Sequence, residues 1–134
     1  MSGHVLLVED EPDILLIARA ALKRAGYAVV SASNGVEALA AVAQSRPGLI
    51  VMDGMMPELD GFEACARLKS DALTRDIPVI FLTARADSTA QERCLSVGAI
   101  GCIPKPFNPL QLGDQVRALL ANHAAARPAA EGLA

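Results

Sequence analysis

Residues 49–53 read Leu-Ile-Val-Met-Asp, an apolar run that ends at a carboxylate. The apolar part is too short for a helix and does not alternate in polarity, which is typical of a strand buried on both faces of a parallel sheet. Four more short apolar runs occur along the chain, at residues 4–8, 28–32, 78–82 and 101–103. The sequence therefore predicts five buried parallel strands.

Helical patterns separate these strands. The clearest pattern forms one apolar stripe on a helix and consists of Ile14, Leu15, Ala18, Ala21, Leu22 and Ala25. The last helix repeats it with Leu112, Val116, Leu119 and Leu120. Five β-α repeats predict an α/β fold, a doubly wound five-stranded parallel sheet with helices on both faces.

The length and charge of the chain limit its functions. Its 134 residues are the size of one domain. We expect a domain over residues 1–121, an Ala-rich mobile tail over residues 122–134, and no second catalytic or DNA-reading domain. Twelve basic and 15 acidic side chains give a net charge of -3, which offers no electrostatic footprint for a phosphate backbone. We expect no direct binding to nucleic acid.

The cysteines and the N-terminus favour a reducing compartment. Cys65, Cys94 and Cys102 have no CxxC spacing and no nearby histidine, so neither a disulfide framework nor a zinc site is indicated. No apolar run approaches the ~20 residues of a membrane span, and the N-terminus lacks the pattern of a signal peptide. We expect a cytoplasmic protein without a membrane anchor.

Polar side chains follow four of the predicted strands. Glu9 and Asp10 follow the first, Asp53 the third, Thr83 the fourth and Lys105 the fifth. Because ligands of open α/β sheets bind at the carboxyl ends of the strands, we expect these groups to share one edge. Carboxylates without histidine or cysteine nearby favour Mg²⁺, and an aspartate beside a divalent cation and a lysine can act as a nucleophile toward phosphorus.

Each of these residues also has an ordinary structural explanation. Acidic residues after a strand often cap the next helix, and Asp53 followed by Gly54 is also the start of a loop. The hydroxyl of Thr83 can bond backbone, and Lys105 can be a solvated charge. Independent structural roles would rarely place all of them at the same end of one sheet, which favours a functional site.

Five motifs carry a resemblance to a known family. They are Leu6-Leu7-Val8-Glu9-Asp10-Glu11-Pro12, Val51-Met52-Asp53-Gly54-Met55-Met56-Pro57, Asp60-Gly61-Phe62, Leu82-Thr83-Ala84, and Gly98-Ala99 followed by Lys105-Pro106-Phe107. Together they resemble the receiver domain of two-component response regulators, in the manner of single-domain chemotaxis regulators, over about residues 4–121. The fold we expect is flavodoxin-like, (βα)5, with strand order 2-1-3-4-5.

The resemblance implies a phosphoacceptor and a metal site. Asp53 would take a phosphoryl group from a histidine kinase or a histidine phosphotransfer protein. Asp10, Asp53 and the backbone carbonyl of Met55 would hold Mg²⁺, and Glu9 would act on the metal through water.

The resemblance also implies a switch. Thr83, assisted by the amide of Ala84, would bond the phosphoryl group and report its presence. Lys105 would pair first with Asp53 and then with the phosphoryl group, and the Lys105–Pro106 bond would be cis. The phosphorylated chain would bind a downstream protein through its fourth and fifth helices and fifth strand, as a monomer or a weak phosphorylation-dependent dimer.

Three positions depart from the family pattern. Pro104 stands immediately before Lys105, where it removes a backbone donor at the end of the fifth strand. Gly54 stands where relatives carry a larger side chain, which predicts a looser active-site loop. Cys102 stands where an aromatic ring usually swings inward with the threonine, so we expect the signal to pass through Thr83, Ala84 and the adjoining loop with little help from residue 102.

Other functions remain open at this point. The chain could be a receiver-like interaction module that is not phosphorylated, or a receiver cut from a longer response regulator or hybrid kinase. We expect no conventional enzyme class, although a receiver catalyses its own phosphorylation and dephosphorylation. A phosphatase with an aspartyl nucleophile is disfavoured, since Met55 replaces the second aspartate of the usual DxD pair.

Overall fold

The predicted parallel sheet is present in the structure of the chain, a computed structural model that describes residues 3–54, 56, 60–83 and 88–126. The elements are β1 (Val5–Val8), α1 (Pro12–Arg24), β2 (Val29–Ala32), α2 (Gly35–Gln44), β3 (Leu49–Asp53), α3 (Gly61–Lys69), β4 (Val79–Thr83), α4 (Ser88–Ser96), β5 (Gly101–Pro104) and α5 (Leu112–Ala126).

The strands form one five-stranded sheet in the order β2-β1-β3-β4-β5, and every neighbouring pair is parallel. Both the fold class and the strand order that the sequence predicts are confirmed. Each strand starts and ends within one residue of its predicted run.

Two apolar cores cover the two faces of the sheet. In β1, Leu6 and Val8 belong to the core under α2, α3 and α4, while Val5 and Leu7 belong to the core under α1 and α5. Successive strand residues point to opposite faces, so both sets must be apolar when both faces are covered. This explains why the central strands are continuous apolar runs.

Local signals set the helix ends. The side chain of Asn34 accepts a hydrogen bond of 2.8 Å from the amide of Glu37, and the side chain of Asp60 accepts one of 2.8 Å from the amide of Glu63. These bonds satisfy amides that the first helical turn leaves free. Gly98 has a positive φ of 92° where the chain leaves α4, a conformation that favours glycine.

The helix α5 continues to Ala126, which is five residues into the segment assigned to the C-terminal tail. Residues 127–134 lie outside the described part of the chain, so the domain boundary at residue 121 stays a prediction. Among the described helices, none has both the length and the apolar composition needed to cross a bilayer.

Candidate functional site

The carboxyl ends of three neighbouring strands are tied together by backbone hydrogen bonds. The amide of Gly54, just after β3, donates to the carbonyl of Leu82 at 3.2 Å, and the amide of Lys105, just after β5, donates to the carbonyl of Thr83 at 2.7 Å. These bonds extend the pairing of the strands into the segments that follow them. The side chains after β3, β4 and β5 are therefore held at one edge of the sheet.

The ammonium of Lys105 lies between two carboxylates at this edge. Its Nζ lies 2.8 Å from Glu9 Oε1 and 3.1 Å from Asp53 Oδ2. The Lys105 side chain is 13% exposed, that of Asp53 7% and that of Glu9 not at all. A buried ammonium between two buried carboxylates is an arrangement that loses stability when one partner is removed.

Burial and neighbouring charges shift the pKa values of Glu9 and Lys105. Burial raises the pKa of Glu9 to about 7, although hydrogen bonds from Lys105 and from the Glu11 amide act in the opposite direction. Burial alone would lower the pKa of Lys105, but the hydrogen bond to Glu9 and the charge of Asp53 outweigh it and raise that pKa. Lys105 therefore remains a cation at neutral pH.

Three carboxylates are grouped beside this lysine. Oxygens of Glu9, Asp10 and Asp53 lie within 4.8 Å of one another. Asp10 Oδ1 is buried and, among the described residues, meets no hydrogen-bond partner. Clustered carboxylates repel one another unless a cation or a proton lies between them, and Mg²⁺ prefers such oxygen ligands. The cluster and the unpartnered oxygen of Asp10 fit a divalent cation of this kind.

The remaining predicted site residues are only partly described. Thr83 is the last residue of β4 and is buried, at the same edge as Asp53. Met55 and Ala84, predicted to contribute a backbone carbonyl and an amide, lie outside the described residues. The peptide bond between Lys105 and Pro106 is cis, as the resemblance implies. The structure thus brings together Glu9, Asp10, Asp53, Thr83 and Lys105.

Two glycines shape the site in a way that sequence reasoning did not identify. The amide of Gly61 donates to the carbonyl of Gly54 at 3.0 Å, and a Cβ at Gly61 would collide with the carbonyl oxygen of Asp53. Gly61 therefore lets α3 begin directly against the end of β3. The Asp60-Gly61 pair before a helical pattern was the available signal, because glycine permits close backbone approach.

The space beside Gly54 is filled. A Cβ at Gly54 would lie 2.7 Å and 2.8 Å from Cε2 and Cζ of Phe62. The space that a larger side chain at position 54 would take is therefore occupied by a ring from α3. The looser active-site loop stays a prediction, because residues 55 and 57–59 lie outside the described part of the chain. The sequence alone does not show that Phe62 packs against a residue eight positions earlier.

All three cysteines are free thiols. Cys65 donates to the carbonyl of Val97 at 3.3 Å, and Cys94 is close enough to Cys102 to be influenced by its side chain. Burial raises the pKa of Cys65 to about 11, and burial together with the neighbouring Cys102 raises that of Cys94 to about 12. Because few thiolates are present at neutral pH, Cys65 and Cys94 are poor nucleophiles and poor metal ligands.

The chain is similar to known proteins over most of its length. Residues 5–117 match the family model of the response regulator receiver domain. The chain is 37% identical to the alkaline phosphatase synthesis transcriptional regulatory protein PhoP of Bacillus subtilis (strain 168) over 131 residues, 98% of this chain and 54% of that protein. It is 40% identical to the phosphate regulon transcriptional regulatory protein PhoB of Pseudomonas aeruginosa over 116 residues, 87% of this chain and 51% of that protein.

A solved structure shows the same fold. The chemotaxis response regulator CheY4 of Vibrio cholerae superimposes with a TM-score of 0.83 at 31% identity, covering 89% of this chain and 99% of that one. The chain spans about half the length of the curated relatives it matches, but nearly all of this structure. The matched family model covers most of the chain and includes the three clustered carboxylates, Glu9, Asp10 and Asp53. The chain therefore belongs to the family of response regulator receiver domains of two-component signalling systems.

Proposed function

We propose that the chain is a phosphoacceptor switch of a two-component phosphorelay, in which Asp53 accepts the phosphoryl group. The observation that carries this proposal is the Lys105 ammonium, which lies 3.1 Å from Asp53 Oδ2 beside a cluster of three carboxylates. The arrangement supplies a nucleophile and positive charge at one buried edge. Both are needed for an acyl phosphate to form, because its oxygens carry negative charge.

The reaction is a transfer of one phosphoryl group. A carboxylate oxygen of Asp53 attacks phosphorus in a phosphohistidine of the donor protein, and the bond between phosphorus and the imidazole nitrogen breaks. The electron pair of that bond stays on the nitrogen, so the donor histidine is restored. We therefore propose a histidine kinase or a histidine phosphotransfer protein as the upstream partner.

Glu9, Asp10 and Asp53 are the residues that would hold Mg²⁺, and the backbone carbonyl of Met55 is a further proposed ligand. When bound there, Mg²⁺ would supply positive charge to the oxygens of the transferred group. Glu9 is also paired with Lys105, so we propose that it acts on the metal through water.

Lys105 and Thr83 would respond to the new group. Lys105 already contacts Asp53, and its ammonium can turn to a phosphoryl oxygen once the charge of the carboxylate is lost to the acyl bond. Thr83 lies at the end of the neighbouring strand and can donate its hydroxyl to another phosphoryl oxygen, with the amide of Ala84 assisting. These two donors would link the chemistry at Asp53 to the surface around α4 and β5.

We further propose a downstream protein as the target, no direct binding to nucleic acid, and a monomer or a weak phosphorylation-dependent dimer. The net charge of -3 supports the exclusion of nucleic acid. Three free thiols without a disulfide support a reducing, cytoplasmic compartment.

The proposal is tested by incubation with acetyl phosphate and Mg²⁺ followed by intact-mass measurement. We expect the wild type to gain one phosphoryl group, and we expect EDTA or the substitution Asp53→Asn to prevent the gain. Asp13→Asn, which removes an exposed aspartate from the first turn of α1, is the matched control and should be labelled like the wild type. Absence of labelling in the wild type would favour a receiver-like module that is not phosphorylated.

A further inference from the structure

The ring of Phe62 is packed against the backbone that carries the phosphoacceptor. Phe62 lies in the first turn of α3, is only 6% exposed, and its centroid is 4.6 Å from that of Phe81 in β4. An added Cβ at Gly54 would come within 2.7 Å of the ring. The residue that follows Asp53 therefore cannot move toward α3 without moving this ring.

A cation from another helix covers the same ring. The guanidinium carbon of Arg93, in α4, lies 4.0 Å from the centroid of Phe62. A guanidinium over a phenyl face is attracted by the negative charge of the ring face, and arginine is the cation most often found there. One ring thus contacts both the segment after Asp53 and a helix that precedes β5.

The neighbouring strand does not offer a comparable contact. Cys102 of β5 lies opposite Phe81 in the sheet, and it is half-buried with a small side chain. Its side chain lies near that of Cys94, the residue that follows Arg93. The contact between Phe62 and Arg93 is therefore a link from the site to α4 that does not depend on a ring at position 102.

We propose that Phe62 is a positioning residue that couples the segment at Gly54 to α4 through Arg93. The inference rests on the proposed function, since it assigns a route by which modification of Asp53 reaches the surface. Movement of the backbone at Gly54 displaces the ring, and displacement of the ring changes where the Arg93 guanidinium is held. Gly54 is part of this device because any larger residue would occupy the place of the ring.

The test uses amide chemical shifts of the whole chain with and without Mg²⁺ and beryllofluoride, a phosphoryl mimic. In the wild type we expect shifts both near Asp53 and Thr83 and along α4. In Phe62→Leu and in Arg93→Gln, the shifts near Asp53 should remain. The shifts along α4 should fall by about twofold or more, because an exposed cation–π contact changes the equilibrium between two positions of a helix by about that factor.

Arg67→Gln is the matched control. It removes an exposed arginine from α3 that pairs with Glu63 at 3.4 Å. Its α4 shifts should equal those of the wild type. Because Phe62 is buried, Phe62→Leu is also checked for cooperative unfolding, and Arg93→Gln, whose site is exposed, keeps the test valid if the first variant does not fold.

A third variant tests the role of the glycine. In Gly54→Ala the new Cβ must displace the Phe62 ring, so its α4 response should fall as it does in Phe62→Leu. The double variant Gly54→Ala with Phe62→Leu should be no worse than either single variant, because both act on the same contact. Additive losses would overturn the inference.

The outcomes separate this inference from the proposed function. If the wild type shows no beryllofluoride-dependent shift near Asp53, the proposed function fails. If those shifts occur but α4 responds equally in the wild type, Phe62→Leu and Arg93→Gln, the proposed function stands and the coupling through Phe62 is wrong.

Discussion

Replacement of Lys105 by methionine is the perturbation whose energetic effect follows most directly from the geometry. Methionine keeps the length and much of the volume of the side chain but removes the ammonium that contacts Glu9 at 2.8 Å and Asp53 at 3.1 Å. The variant therefore leaves buried carboxylates beside one another with no cation between them.

The size of the effect can be bounded from these distances. Two unit charges separated by 3.1 Å attract by about 5 kcal/mol at an effective dielectric constant near 20. The cost of burying the ammonium offsets part of this attraction, and Glu9, with its pKa raised to about 7, takes up a proton with little cost at neutral pH. We expect the free energy of unfolding to fall by about 3 kcal/mol, the lower end of the range for breaking a buried ion pair.

Mg²⁺ should reduce the difference in the free energy of unfolding between the wild type and Lys105→Met. A metal that binds only the folded state stabilises it by about 2.7 kcal/mol at a hundredfold excess over its Kd. The variant should bind Mg²⁺ more tightly than the wild type, because the divalent cation no longer lies near an ammonium. The Mg²⁺-dependent gain in stability should therefore be larger in Lys105→Met.

The assay is urea denaturation of both proteins with EDTA and with saturating Mg²⁺. Lys23→Met, which removes an exposed lysine in the last turn of α1, is the matched control and should change stability by less than about 0.5 kcal/mol in either condition. A Lys105→Met variant as stable as the wild type in EDTA, or one whose deficit is unchanged by Mg²⁺, would refute the role of Lys105 as the counter-ion of this cluster.

Three further predictions concern other parts of the fold and site. Gly61→Ala should lower the free energy of unfolding by about 1–3 kcal/mol in urea denaturation, since its Cβ collides with backbone and not with a flexible side chain; wild-type stability would contradict the packing described here. Thr83→Ala should still gain a phosphoryl group from acetyl phosphate but lose much of the beryllofluoride-dependent amide shift at the end of β4, and failure to be labelled would show a different role. In thiol labelling at about pH 8, Cys102 should react before Cys65 and Cys94, whose pKa values are raised to about 11 and about 12 so that few thiolates are present. Any fast-reacting thiol in Cys102→Ser would contradict this order.

The fold could be predicted from sequence because its strands have an unusual composition. A strand such as Leu49–Asp53 is buried on both faces, so every position except the last is apolar and the run stands out from the amphipathic helices around it. The caps at Asn34 and Asp60 also carry a signal in the sequence, since each is followed three residues later by glutamate. The sequence carries no such signal for the end of α5, because alanine favours helix and does not stop it.

The grouping of Glu9, Asp10, Asp53, Thr83 and Lys105 followed from topology. Parallel strands place their carboxyl ends at one edge, so residues spread over about a hundred positions meet once the strand order is known. What topology does not determine is which groups pair, and the contact of Lys105 with Glu9 as well as Asp53 is visible only in the structure.

The packing of Gly54 against Phe62, and of Phe62 against Arg93, also required coordinates. These contacts depend on the orientation of a single ring between α3, α4 and the end of β3, and no sequence period encodes that orientation. The sequence marked Gly54 as unusual but could not show that a neighbouring side chain fills the space. The roles of Met55 and Ala84 remain predictions.

The most direct test of the central claim is to identify the residue that carries the phosphoryl group. Reduction of an acyl phosphate by borohydride converts its aspartate into homoserine, which peptide mass spectrometry locates in the sequence. After incubation with acetyl phosphate and Mg²⁺, the account predicts homoserine at position 53 and unmodified aspartate at position 10. Homoserine at another position, or a labelled protein in which position 53 remains aspartate, would contradict it.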